Sequence, residues 1–109
     1  MAKLETIIRN EPFDEILLRI ENGILNGSFS ASLEDASDFK CGSSRCAVRV
    51  FERYSMIGNN RVSLNVTLFE GEDGIIHLSG ITSGGSQAAF LKINTFGEQA
   101  FLDKLGELL

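Results

Sequence analysis

The stretch Arg61–Leu68, RVSLNVTL, has the most regular pattern in the chain, because polar and apolar side chains alternate at every position. Successive side chains of a β-strand point to opposite sides, so this alternation predicts a strand with one buried and one solvent-exposed face. Such a strand needs a covering layer on one side only. Its apolar positions are Val62, Leu64, Val66 and Leu68.

Residues 45–56 also alternate and are joined to this strand by the turn Gly58–Asn60. A three-residue turn pairs Tyr54 with Leu64 and keeps the apolar side chains of both strands on one face, whereas a two-residue turn would mix the faces. We therefore expect an outward stripe of guanidinium groups on this strand. The inward side chains would be Cys46, Val48, Val50, Glu52 and Tyr54, and the outward ones Arg45, Ala47, Arg49, Phe51 and Arg53.

Further strands are expected on both sides of this hairpin. Residues 3–9 alternate weakly and predict a short edge strand. Residues 28–33 alternate serine with apolar side chains, which is typical of a strand with one wet face. The polar residues 35–44 that follow predict a loop.

A last strand is predicted over residues 75–81, after the turn Gly71–Gly74. The length of this turn decides the face that His77 occupies. A two-residue turn would place His77 on the side of the core, and a longer turn or a bulge would leave it in solvent. Leu78 is the costlier side chain to expose, so the sequence favours a solvent-exposed His77 without excluding the alternative.

Two segments have the periodicity of amphipathic helices. The first follows Asn10, a favourable N-cap, and Pro12, which is tolerated in a first helical turn. The second begins at Thr95, where Glu98 has the spacing of a capping box. Residues 88–93 can be read as a further core strand or as the start of this helix. The apolar stripes are Phe13, Ile16, Leu17, Ile20 and Ile24 in the first helix, and Phe96, Ala100, Phe101, Leu105 and Leu108 in the second.

The dimensions of these elements constrain the fold. Two helices of about 21 Å, packed side by side, cover a strip about 20 Å wide, and five or six strands at about 4.8 Å spacing have a similar width. The helices can therefore cover one face of the sheet. We predict an α+β fold, a curved antiparallel sheet of five or six strands with an N-terminal and a C-terminal helix on one face. The order of elements resembles that of helix-grip folds.

Length and charge limit the classes of partner. The chain has 109 residues, which is enough for one domain, residues 1–109, with its own core. Fifteen acidic and ten basic residues give a net charge of −5, which argues against nucleic acid or an anionic membrane as a partner. No apolar run approaches the roughly 18 residues of a membrane span, and we expect no membrane association.

The soft metal ligands are few. Cys41 and Cys46 are the only cysteines and His77 is the only histidine. A structural zinc site usually needs four ligands, so we predict neither a metal nor another cofactor. Two cysteines without a secretory signal are most simply the reduced thiols of a cytoplasmic protein, with a dithiol switch as the alternative.

Four blocks of sequence resemble a small family of uncharacterised bacterial proteins. They are NGILNGSFSASLED (22–35), CAVRVFERY (46–54), NRVSLNVTLF (60–69) and ITSGGSQAAFLKINTFGE (81–98). The resemblance implies a single-domain bacterial protein with no assigned activity, and it carries no catalytic residue.

Two groups of residues are candidate ligand sites. The segment Gly84, Gly85, Ser86 and Gln87 could direct backbone N–H groups at an anion, although it lacks the lysine of a nucleotide P-loop. The second candidate is the guanidinium stripe with Arg49, Arg53 and the neighbouring Tyr54, which could bind a carboxylate or a phosphate beside the outward hydroxyl and amide groups of other strands. Each group also has an ordinary reading, as a loop and as a solvated sheet face.

Phe51 is the exception in the predicted stripe, because an exposed aromatic ring on a polar face suggests a contact surface. The leading hypothesis is therefore a non-catalytic binding or interaction module that forms a homodimer through the outer sheet face around Phe51. One alternative is a small-molecule binder with a pocket between sheet and helices, rimmed by Tyr54, Glu52 and Gln87. The other is an enzyme that uses Glu52 or His77 with the glycine-rich loop 84–87 as an anion site.

Overall fold

A computed structural model describes residues 1–55, 60–84 and 91–109. The elements in chain order are β1 (Ala2–Ile8), α1 (Phe13–Gly27), β2 (Ser32–Cys41), β3 (Ser44–Ser55), β4 (Asn60–Glu70), β5 (Ile76–Gly84) and α2 (Leu91–Glu107). The five strands form one antiparallel sheet in the order β1-β5-β4-β3-β2. This is the α+β architecture that the sequence predicts.

Both helices pack on the same face of the sheet, which we call the inner face. The predicted stripe of α1 is buried, and in α2 the buried side chains include Phe101 and Leu105. They share one apolar core with the four predicted inward residues of β4. Gly23 of α1 lies against Leu108, the residue directly after α2, so close that a Cβ atom at position 23 would clash with a Leu108 methyl group. The face of the sheet away from the helices is the outer face.

The start of α1 differs from the predicted one. The N-cap is Pro12, whose carbonyl oxygen accepts a hydrogen bond from the Ile16 amide at 3.2 Å. Asn10 lies before the helix in a left-handed conformation with φ of 62°. Asparagine tolerates that conformation better than most residues, so Asn10 forms the turn that leads from β1 into α1.

The predicted register of β3 is wrong. Leu64 lies opposite Phe51 and not opposite Tyr54, a displacement of three residues. An odd displacement moves every side chain of a strand to the other face. Ser55 and Asn60 are the last described pair of this hairpin, and the predicted turn residues Gly58 and Asn59, together with Met56, lie outside the described residues.

The polar loop predicted over residues 35–44 is also wrong, because most of it is strand β2. This strand pairs with β3 through a two-residue turn in which Gly42 has φ of +60°, a conformation that glycine adopts without steric cost. A bulge at Glu34 interrupts the pairing. Strand β2 is held by its backbone hydrogen bonds to β3, and its side chains are almost all exposed. The sequence of β2 therefore lacks the alternation of buried and exposed side chains by which a strand is predicted. Phe29, predicted to lie in a strand, is fully exposed before β2 begins.

The last two elements confirm part of the prediction. Ile76 and Leu78 are buried and His77 is exposed, as the sequence favours. Helix α2 already begins at Leu91, so Thr95 lies inside it and is not an N-cap. Residues 85–90 and the side chain of Phe96 lie outside the described part of the chain.

Candidate interaction surface

The guanidinium stripe of β3 lies on the inner face, beneath the helices, so its predicted place on the outer face is wrong. Arg49 is only 7% exposed. Its Nε donates to Glu21 of α1 at 3.0 Å and one terminal nitrogen lies 3.1 Å from an oxygen of Asp38 on β2. The other terminal nitrogen donates to the carbonyls of Ser37 and Val48 at 3.3 and 2.9 Å. Arg49 therefore ties α1 and β2 to β3.

The electrostatic environment of Arg49 agrees with this role. Burial lowers the pKa of Arg49, while the hydrogen bonds and charges of Glu21 and Asp38 raise it, and the net result is a raised pKa. Arg45 makes a comparable link, since it donates to Asp14 of α1 at 2.8 Å and lies 4.1 Å above the ring of Phe13. These two guanidinium groups are engaged within the chain.

Arg53 is the member of the stripe without an acidic partner among the described residues. Its guanidinium lies 4.6 Å from the centre of the Phe101 ring, and burial lowers its pKa. It is opposite Val62 in the register, and Val62 is in turn opposite Gly84 at the end of β5. Of the predicted anion-binding loop, the structure therefore places only Gly84, at the end of β5. Gly85, Ser86 and Gln87 lie outside the described residues.

The predicted outer-face position of Phe51 is wrong, because its side chain is completely buried in the core. Glu52 and Tyr54 take the opposite face and point away from the helices. They therefore do not rim a pocket between sheet and helices. Glu52 contacts Arg61 at 3.5 Å.

The structure does not bring together the two residues of the enzyme hypothesis. Glu52 is opposite Ser63, and His77 is opposite Phe69. Six residues of β4 separate these positions, about 20 Å at the usual rise of a strand. Glu52 and His77 share a face of the sheet, but they do not form a common site.

One row of side chains crosses the whole outer face. Adjacent members are opposite each other in the register, and the row contains one residue from each strand. We call it the outer row, and in sheet order it consists of Ile7, His77, Phe69, Cys46 and Phe39. Ile7, Phe69 and Phe39 are 50%, 43% and 64% exposed, although large apolar side chains are usually buried.

Two shallow grooves flank Phe69 at the centre of the outer row. One, of about 280 Å³, is lined by Phe39, Cys41 and Cys46 together with Phe69. The other, of about 600 Å³, lies between Phe69, His77 and Ile7. The rings of Phe69 and His77 contact each other with centres 6.4 Å apart. Phe69 therefore belongs to both grooves.

The thiol groups in the first groove are free. Within the described part of the chain, no three histidine, cysteine or acidic side chains come close enough to hold a metal ion. Over the same residues, no helix is long and apolar enough to cross a membrane.

Reasoning from the sequence missed the outer row, although one signal was present. Phe69 directly follows Leu68, so it stands at a position where the alternation of this strand requires a polar residue. Ile81 breaks the pattern of β5 in the same way and is 40% exposed. Apolar side chains at the polar positions of a strand are the sequence signal for an exposed apolar patch on the second face.

The model of a family of unknown function (DUF6054) matches residues 1–109. The chain belongs to this family. No curated protein matches the chain.

Two solved structures are similar to the fold. A protein of unknown function from Pseudomonas aeruginosa, PA94, whose name marks it as a candidate regulator, has a TM-score of 0.53 at 10% identity, with 92% of this chain and 81% of that chain covered. The hypothetical protein jhp0584 from Helicobacter pylori has a TM-score of 0.50 at 11% identity, with 94% and 83% covered. At such low identity the similarity concerns the fold alone.

Proposed function

We propose that this member of the family is a protein-interaction module that forms a homodimer through its outer face. The observation that carries the proposal is the outer row, which crosses all five strands on the face without helices and has exposed apolar side chains at its centre and at both ends, Phe69, Ile7 and Phe39. Water-exposed apolar surface of this extent is unfavourable in a monomer, and a second copy removes it from water.

The size of the outer face supports a second copy as the occupant. Five strands at about 4.8 Å spacing and about ten residues at 3.3 Å each give an area of roughly 800 Å². A stable interface of standard size buries about 800 Å² per partner. The whole face is therefore needed for a stable contact, and another sheet of the same dimensions supplies the matching surface.

The charge distribution also supports self-association. The charged side chains at the paired outer-face positions of the described strands are Lys3, Glu5, Asp35, Glu52 and Arg61. Two bases and three acids sum to −1, a small part of the net charge of −5 of the whole chain. Two copies can approach through this face with little repulsion, because most of the excess negative charge lies elsewhere.

Light scattering on the wild type and on Phe69→Asp tests the proposal. We expect a dimeric wild type and a folded, monomeric variant, because a carboxylate at the centre of the outer row would be desolvated in the interface. Phe29→Asp is the matched control, since Phe29 is fully exposed outside the sheet and its replacement should leave the dimer intact. A monomeric wild type, or a dimeric Phe69→Asp, contradicts the proposal.

A cytoplasmic location in a bacterium is part of the same proposal. The free thiols of Cys41 and Cys46, one of them exposed, support a reducing compartment. Thiol labelling of the protein in intact cells and after lysis, compared with a periplasmic marker, tests the location. Labelling of intact cells by an impermeant reagent would contradict it.

Arg53 favours a second candidate function, the binding of a small anion. Its half-buried guanidinium has no acidic partner among the described residues and lies in the same register row as Gly84. Calorimetric titration with inorganic phosphate is the test, with Arg61→Gln on the outer face as control. Loss of binding in Arg53→Gln alone supports the site, and equal binding in both variants excludes it.

A further inference from the structure

The outer face is self-complementary about its middle strand. β4 is third of five in the sheet order, so a two-fold axis parallel to β4 superposes the sheet on a second copy of itself. The axis places β4 over the partner's β4, β3 over the partner's β5, and β2 over the partner's β1. Facing sheets of this kind lie about 10 Å apart with nearly aligned strands.

The outer row matches itself under this operation. Phe69 lies on the axis and meets the same ring of the second copy, and Phe39 faces the partner's Ile7. Apolar side chains therefore meet apolar side chains at the centre and at both ends. Between them, Cys46 faces the partner's His77.

A second row, four residues before Phe69 in β4, matches in charge as well. Its members across the sheet are Lys3, Ile81, Asn65, Val50 and Asp35. The axis places Val50 opposite the partner's Ile81 and Asp35 opposite the partner's Lys3. The two ends of this row carry opposite charges, as a symmetric interface requires for favourable contacts at its rim.

The twist of the sheets does not remove this match. Facing sheets cross at about 30°, and the outer strands lie about 10 Å from the axis, so the ends of facing rows are displaced by about 5 Å. The flexible side chain of Lys3 covers such a distance. Its present contact with Glu5, at 2.8 Å, joins two exposed side chains and is readily exchanged.

We infer that the second copy binds with its two-fold axis parallel to β4, and that Lys3 and Asp35 pair between the copies. The inference rests on the proposed function and adds the orientation of the partner. It distinguishes this dimer from edge-to-edge pairing of β2, which would leave Lys3 and Asp35 far from each other.

Reversal of the two charges tests the pairing. We expect Lys3→Asp and Asp35→Lys each to raise the dimer dissociation constant about tenfold, since two pairs per dimer become repulsive. The double variant restores opposite charges and should return to within about threefold of the wild type. Sedimentation equilibrium measures all four proteins. Additive weakening in the double variant overturns the pairing.

Cross-linking tests the position of the axis independently. In a Cys41→Ser and Cys46→Ser background, Thr67→Cys on β4 lies near the axis, whereas Glu5→Cys on β1 is displaced from its own copy in the partner by four strand spacings, about 19 Å within the plane of the sheet, in addition to the separation of the two sheets. A bismaleimide that spans about 10 Å, the separation of two facing sheets, should link the first variant and not the second. A dimer that links the second variant, or fails to link the first, overturns the axis alone. A monomer in light scattering overturns the proposed function as well.

Discussion

The two faces of β3 show how the same strand can be a buried support on one side and a contact surface on the other. The inner side carries the three arginine residues and the fully buried Phe51, whereas the outer side carries Cys46, two valines and Tyr54. By residue type the inner side is the more polar of the two. It is nevertheless the side that the helices cover.

The reason lies in what each side chain can reach. An arginine buries its aliphatic stem along apolar surface and keeps its guanidinium free for hydrogen bonds. Arg45 and Arg49 use this property, because Asp14 and Glu21, one helical stripe of α1, accept their hydrogen bonds. Alternation in the sequence thus separates the two faces of a strand, while the partners on the helices decide which face is inside.

Exchange of phenylalanine for aspartate on the two faces should give the largest contrast. Phe51→Asp places a carboxylate in the core and removes a buried ring, which costs more than about 4 kcal/mol of the roughly 5–15 kcal/mol by which an ordinary domain is stable, and we expect a much lower unfolding midpoint. Phe69→Asp, on an exposed side chain, should keep the fold. Urea unfolding followed by circular dichroism measures both. A wild-type midpoint for Phe51→Asp would refute the placement of the two faces.

Arg49→Met should have the second largest effect. The methionine keeps the apolar stem but leaves Glu21, Asp38 and two carbonyls without their donor, and we expect a loss of about 2 kcal/mol in the free energy of unfolding. Arg61→Met removes an exposed contact on the outer face and should change it by less than about 0.5 kcal/mol. Equal losses in the two variants would show that the inner arginine has no special role.

The sequence predicts those parts of the fold whose pattern is complete within one helix or strand, and it does not predict those that depend on how distant strands pair. The buried stripe of α1 and the inward residues of β4 are confirmed, because their periodicity is complete within one element. The faces of β3 depend on its register with β4, and the alternation within β3 alone does not contain that register. β2 is a strand because β3 pairs with it. The outer row joins five distant parts of the chain, so only the registers assemble it.

Two glycine substitutions sharpen the comparison between covered and open positions. A Cβ atom on Gly80 would lie 2.5 Å from a methyl group of Leu105, so Gly80→Ala should destabilise the protein by about 1–2 kcal/mol. Gly106 lies near the end of α2, and no atom lies within 4 Å of the position that a Cβ atom would take there. Gly106→Ala should therefore stabilise the protein by about 0.5–1 kcal/mol. Thermal unfolding gives both signs. A destabilised Gly106→Ala would contradict the open position.

The smallest effect is expected at the outer-face pair of Lys3 and Glu5. The hydrogen bond and the charge of Lys3 hold the pKa of Glu5 below its ordinary value, so any stabilisation is present above that ordinary value and is lost as the pH falls. The hydrogen bond and the charge of Glu5 raise the pKa of Lys3, so its share is present at lower pH and lost as the pH rises through the raised value.

Both side chains of this pair are more than half exposed, in contrast to Arg49, and water and salt screen them. In the monomeric Phe69→Asp background we therefore expect Glu5→Gln to leave the free energy of unfolding unchanged within error at every pH from neutral to acid. A loss of free energy of unfolding in Glu5→Gln that is present at neutral pH and vanishes in acid would contradict this expectation. It would show that the pair of Lys3 and Glu5 stabilises the fold, and that the outer face contributes to stability as well as to contacts.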